Sequence, residues 1–154
     1  MHSEVDKAMS YACRVLTYRQ RTTRELTKKL EEHGFSVEAT SSVMNTLAKY
    51  GYIDDKTYAR LWIEQRLHKR GFAGLKRELL QKGVDACTIE ETISEAGPEL
   101  EFQAAYQLAL KKLTQSSDDC PFPHLARFLH NRGYSYEAIS WVGRTINDND
   151  EAKP

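Results

Sequence analysis

Two adjacent carboxylates, Asp54 and Asp55, are the paired acids that stand out in this chain of 154 residues. Such a pair can hold a metal ion or pass protons. It needs a further ligand or base at defined spacing, and none is present. The pair sits where a helix must begin, so its expected work is capping. Cys13, Cys87 and Cys120 are too far apart for a CxxC metal or redox motif, and His2, His33, His68, His124 and His130 are equally scattered. There is no GxxxxGK[ST] phosphate loop, no HExxH helix, no GxGxxG and no nucleophile elbow. Gly71 and Gly74, in RGFAG, read as a tight turn between helices rather than a phosphate cradle. The chain is therefore expected to be no enzyme and to need no cofactor and no metal.

The remaining chemistry is charge. The formal net charge is zero, with 22 basic and 22 acidic residues. Residues 1–82 hold 16 Lys and Arg against 10 acids, whereas 83–154 hold 6 against 12. The contrast peaks in the middle. Arg60, Arg66, Lys69, Arg70, Lys76, Arg77 and Lys82 face only Glu64 and Glu78, and the next stretch, Gly83 to Glu101, has six acids and no base. Arg66, Lys69 and Arg70 are expected to converge across a turn with Lys76 and Arg77. Arg19, Arg21, Arg24 and Lys28 hold the corresponding place upstream. A weaker third copy consists of Lys111, Lys112, Arg127 and Arg132. A basic stripe of this kind suits an acidic groove or a phosphate backbone.

Helices must position these charges. Ser3, Thr22, Ser36, Asp54, Asp85 and Ser135 are N-cap residue types, and Thr22 with Glu25 fits a capping box. Apolar residues recur at three- and four-residue spacing, as in Val5, Ala8, Met9, Ala12, Val15, Leu16 and in Phe102, Ala105, Tyr106, Ala109, Leu110, Leu113. No segment alternates with period two, so the chain reads as all-α. Gly71 is expected to end a helix that starts after Asp54. TQSSDDCPFP, Thr114 to Pro123, reads as a loop, and NDNDEAKP as a frayed tail.

A repeat emerges from these elements. Gly34, Gly83 and Gly133 lie 49 and 50 residues apart. Each follows Leu at four and at eight positions earlier (Leu26 and Leu30, Leu75 and Leu79, Leu125 and Leu129). Each precedes a large apolar residue and then a cap: Phe35 and Ser36, Val84 and Asp85, Tyr134 and Ser135. The expected architecture is three tandem three-helix repeats, over residues 1–51, 52–97 and 98–147, forming an elongated curved array with a flexible tail at 148–154. Trp62 lies on an apolar row and is expected in the core. Tyr50 and Tyr52 flank Gly51 and are expected to staple modules together; Tyr18 and Trp141 complete the set of rings that would stack on bases if exposed.

No apolar run is long enough to cross a bilayer, and the N-terminus MHSEVDKAMSYACRVL does not read as a secretory signal. The expected location is the cytoplasm.

The run Gly51-Tyr52-Ile53-Asp54-Asp55, then Tyr58-Ala59, Arg66, Gly71, Gly74, Glu78-Leu79 and Lys82-Gly83-Val84, resembles the RecX family of bacterial RecA regulators. The first module agrees through Ala12, Leu16, Arg19, Glu25-Leu26, Leu30 and Gly34. The last agrees through Arg127-Phe128-Leu129, Arg132-Gly133-Tyr134 and Ile139. The resemblance spans roughly residues 8 to 146. It implies a non-catalytic protein that binds RecA or its filament on DNA. Such a protein curbs strand exchange, ATP hydrolysis and co-protease activity in DNA repair, recombination and the SOS response. It also implies possible contact with DNA. The implied contact surface is Arg19, Arg21, Arg24, Lys28, Arg66, Lys69, Arg70, Lys76, Arg77, Lys82, Arg127 and Arg132, and the chain is expected to act as a monomer. Two other readings stand beside it: a helical DNA-binding protein without a recombinase partner, and a scaffold for an amphipathic helix, which an apolar rather than basic concave face would favour.

Overall fold

A computed structural model describes residues 3–115 and 120–151. Among these residues there are nine helices and no strand. They follow one another as three triplets: α1 (Glu4–Tyr18), α2 (Thr23–Glu32), α3 (Val37–Lys49); α4 (Asp55–Arg66), α5 (Phe72–Gln81), α6 (Ala86–Ala96); α7 (Pro98–Gln115), α8 (Phe122–Asn131), α9 (Tyr136–Glu151).

The caps lie where the sequence puts them. Ser3 and Asp6 form a reciprocal capping box on α1. Thr22, Ser36 and Ser135 each accept the backbone N–H three residues on. The Asp54 carboxylate accepts the Thr57 hydroxyl at 2.9 Å and the amides of Lys56 and Thr57 at 3.0 and 3.4 Å. These bonds, the Thr57 hydroxyl first, hold its carboxyl below the usual range.

Gly34, Gly83 and Gly133 end α2, α5 and α8 in the left-handed region, at φ of 96°, 93° and 89°. The residue after each glycine donates to a leucine carbonyl, Phe35 to Leu30, Val84 to Leu79 and Tyr134 to Leu129, at 3.2, 3.0 and 3.2 Å. This is the Schellman closure, repeated three times. The leucines at four and eight positions earlier are all buried. Burying each one stabilises by about 1.5–3 kcal/mol.

The chain forms two compact units, residues up to 60 with 79–89, and 61–78 with those from 90 on. The middle triplet contributes to both. The first unit's core gathers Ala8, Ala12, Leu26, Leu30, Val43, Met44, Leu47 and Ile53. The second gathers Ala105, Ala109, Leu125, Leu129, Tyr134, Ala138, Ile139 and Val142.

Within each unit, successive triplets meet by the same kind of lock. In the first unit, the Thr22 hydroxyl donates to the Lys82 carbonyl at 2.7 Å, and the Thr23 amide donates to Asp55 at 2.8 Å. In the second unit, the amides of Gly71 and Ala73 donate to the carbonyls of Arg132 and Gly133 at 2.8 and 3.2 Å. The Phe72 amide donates to Glu101 at 2.7 Å. Thus the N-terminal turn of α2 or α5, whose amides lack partners in their own helix, is completed by the glycine turn and a first-turn acid of the next triplet. Asp55 is thereby a linking residue, whereas Asp54 is the cap.

Gly71 departs from expectation. Helix α4 already ends at Arg66, and Gly71 does not carry the positive φ of a C′ glycine. It is small because a Cβ there would overlap the Tyr134 backbone. The expected loop from Thr114 is shortened by helix α7, which runs to Gln115, and by α8, which starts at Phe122; residues 116–119 lie outside the described residues. Helix α9 takes in residues 148–151 of the expected tail, with Asn149 donating to the Tyr106 hydroxyl at 2.8 Å; 152–154 lie outside the described residues. Tyr50 and Tyr52 are exposed rather than stapled, at 66% and 71%.

The Tyr134 hydroxyl donates to the Leu67 carbonyl at 2.7 Å in the second unit's interior. Burial first, and the Glu101 charge next, push this phenol above its ordinary range. The folded protein therefore keeps the proton where the unfolded chain loses it, and stability present below about pH 10 falls as pH rises further. Tyr134→Phe should lower stability at neutral pH by about 1 kcal/mol and flatten this alkaline decline, as read by urea unfolding across pH.

Candidate partner-binding surface

The expected basic edge divides when placed in three dimensions. In the first unit, Arg19 and Arg21 pair with Glu25 at 3.4 and 3.7 Å, and Lys28 with Glu32 at 3.9 Å. The Arg24 stem lies against Gly83, and Lys82 is half-buried with its carbonyl taken by Thr22. Arg19, Arg21 and Lys28 are each paired with an acid of their own unit.

In the second unit, two adjoining grooves share His68 and Lys69. One, of about 630 Å³, runs between Lys69, Lys111, Lys112 and Arg132, with Phe128 in its wall. The other, of about 430 Å³, carries Trp62, Arg66, Arg70 and Glu78. Among the described residues, the larger groove's lining has no carboxylate. Lys69 follows α4 and is exposed, Lys111 and Lys112 sit on the last turns of α7, and Arg132 closes α8. Lys112 and Arg132 both lie over the Phe128 ring, at 4.9 and 5.0 Å from its centroid. Arg66 lies over Trp62 at 3.5 Å. The rings hold cations in fixed positions at modest cost, since the ring faces attract them.

Glu78 is the acid of the smaller groove, and its charge is offset. It accepts Arg70 Nε at 2.9 Å and Trp62 Nε1 at 2.9 Å. Trp62 is accordingly half-buried at the groove wall rather than in the core. Trp141 packs inward against Phe102 and Tyr106.

The remaining predicted residues face elsewhere in this unit. Lys76 and Arg77 line a separate cleft with His130 and Tyr134, and Lys76 is paired with Glu90. Arg127 borders a further cleft beside Phe122 and Tyr136. Lys69 thus shares a groove with Lys111, Lys112 and Arg132, Arg66 and Arg70 line the adjoining one, and Lys76 and Arg77 line neither. Lys111 and Lys112, part of the weaker third copy in the sequence, line the larger groove beside Lys69. Gln107, Leu108, Lys111, Lys112 and Gln115 recur at helical spacing on one face of α7, and all five line this groove.

The chemistry available is the binding of extended anions. Among the described residues, no group of His, Cys, Asp and Glu is placed to hold a metal ion. No helix is long and apolar enough to cross a membrane.

Comparison with known proteins bears on the fold and the family. Residues 8–47 match the first three-helix domain of RecX, and residues 54–93 match the second. The regulatory protein RecX of Streptomyces coelicolor is 36% identical over 136 residues, covering 85% of this chain and 72% of that protein. The regulatory protein RecX of Clostridium perfringens is 30% identical over 152 residues, covering 96% and 72%. The crystal structure of RecX from Lactobacillus salivarius shares the fold with a TM-score of 0.85 at 23% identity, over 94% of this chain and 97% of that one. With two family domains matched in order and relatives aligned along most of its length, the chain belongs to the RecX family of regulatory proteins.

Proposed function

We propose that this protein binds RecA, or the RecA filament on DNA, and lowers its recombinase, ATPase and co-protease activities without catalysis of its own. Membership of a family of regulatory proteins supports a regulatory role. The observation that carries the contact surface is the groove of Lys69, Lys111, Lys112 and Arg132, whose described lining presents cations and no acid. A filament offers such a groove acidic side chains or phosphates. Occupation of the filament groove would hinder the subunit motions tied to ATP turnover.

The triple variant K69E/K111E/K112E changes exposed side chains that make no ion pair among the described residues, so the helical spectrum should be unchanged. Its inhibition of RecA ATPase on single-stranded DNA should weaken by at least about tenfold, with a shallower salt dependence. Inhibition at the wild-type level would remove this surface from the proposal. Tight, salt-dependent binding to DNA alone, with no effect on RecA, would favour the direct DNA-binding reading.

A further inference from the structure

The locks between triplets use a recurring four-residue socket. Counting back twelve residues from Gly34, Gly83 and Gly133 gives Thr22, Gly71 and Pro121. The four-residue socket is therefore Thr22–Glu25 in the first triplet, Gly71-Phe72-Ala73-Gly74 in the second and Pro121-Phe122-Pro123-His124 in the third. In the second socket all three leading amides donate to the next triplet, Gly71 to Arg132, Phe72 to Glu101 and Ala73 to Gly133. In the first, the Thr22 hydroxyl replaces the residue-71 amide. The third socket has neither device. Pro121 and Pro123 carry no N–H, so two of the three donors are missing. Position 71 lacks room for a Cβ, but the first socket locks with Thr22 and Glu25 at the places of Gly71 and Gly74, so what sets the third socket apart is its missing donors. All four residues of this third socket are exposed.

The chain also carries an unused plug. The Gly34 turn has the same Schellman geometry as the Gly83 and Gly133 turns. Ser36 is bonded to Glu4 through its amide at 2.7 Å and its hydroxyl at 3.1 Å, just as Ser135 is bonded to Glu101. A Cβ placed at Gly34 would meet nothing within 4 Å, whereas at Gly133 it would meet the Gly74 backbone. Turn, serine and carboxylate are all present, with no socket filled.

We infer that the Pro121-Phe122-Pro123-His124 face is a docking socket closed by its prolines against the Gly34 turn of a second copy, so that the chain does not assemble head to tail. A plug and a socket on different parts of one chain make a heterologous contact, which propagates into open chains unless something blocks it. Here the block is the two absent donors: unlike Gly71, Pro121 has no amide to give, and unlike Thr22 it has no hydroxyl to stand in for one.

The test transplants the working socket. The variant P121G/P123A/H124G reads Gly-Phe-Ala-Gly at 121–124, matching 71–74. In sedimentation velocity the wild type should remain monomeric as concentration is raised, whereas the variant should shift to species of two or more copies. Hydrogen exchange in those species should slow by at least tenfold at 33–36 and 121–125. Adding Glu4→Ala, which removes the carboxylate that would accept the Phe122 amide, should restore the monomer. The inference is overturned if the variant stays monomeric at every concentration. It is equally overturned if the wild type associates through 121–124, or if the variant associates with protection elsewhere or regardless of Glu4.

Discussion

Glu101→Ala should destabilise the second unit by about 4 kcal/mol, the largest loss expected from any single polar substitution in the chain. Glu101 is 3% exposed, and its two oxygens accept three donors: the Phe72 amide at 2.7 Å, and the Ser135 amide and hydroxyl at 3.3 and 2.5 Å. One carboxylate thus completes the N-terminal turns of both α5 and α9. Alanine strands all three donors where water has poor access, and each stranded donor costs about 1–3 kcal/mol. Asp55→Ala is the natural contrast. Asp55 makes the matching bond to Thr23 at a solvent-exposed place, so water can take over and the loss should be about 1 kcal/mol. Urea unfolding of the two variants checks the difference; equal losses would show that Glu101 does not hold the junction.

Gly133→Ala should cost about 4 kcal/mol, against about 1–2 kcal/mol for Gly34→Ala. The two residues have nearly the same backbone, φ of 89° and 96°, so each substitution bears the same left-handed penalty. Their surroundings differ. The new methyl at 133 would sit 2.5 Å from the Gly74 amide nitrogen and 2.9 Å from its Cα, whereas at 34 it enters open space. Backbone cannot swing aside as a side chain can, so the difference between the two variants isolates the close approach of the two turns. Thermal or urea unfolding of the pair reads it directly; equal costs would mean the backbone penalty is all there is.

These two predictions mark where the sequence is transparent and where it is not. Caps, glycine turns and leucine rows are local devices, written within a few residues of the helix they serve. Ser36, Gly83 and Leu129 were legible for that reason. Glu101 has the same appearance as any first-turn acid, and its partners are 29 and 34 residues away. Gly71 likewise suggested a helix stop, because a Cβ clash with Tyr134 leaves no local trace. For the candidate surface, residue types were legible and their grouping was not. The cluster around Gly71 is contiguous in sequence, yet Lys76 is taken by Glu90 and faces away with Arg77. Lys69 instead shares a groove with Lys111, Lys112 and Arg132, which come from helices one triplet further on. Charge counted along the chain cannot separate a cation paired within the fold from one left facing solvent.

The regulatory role is tested most directly by RecA ATPase activity on single-stranded DNA, measured with and without this protein at stoichiometric amounts. ATP hydrolysis should fall on addition of the wild type, and K69E/K111E/K112E should restore most of it. An unchanged rate with the wild type would contradict a RecA-directed function.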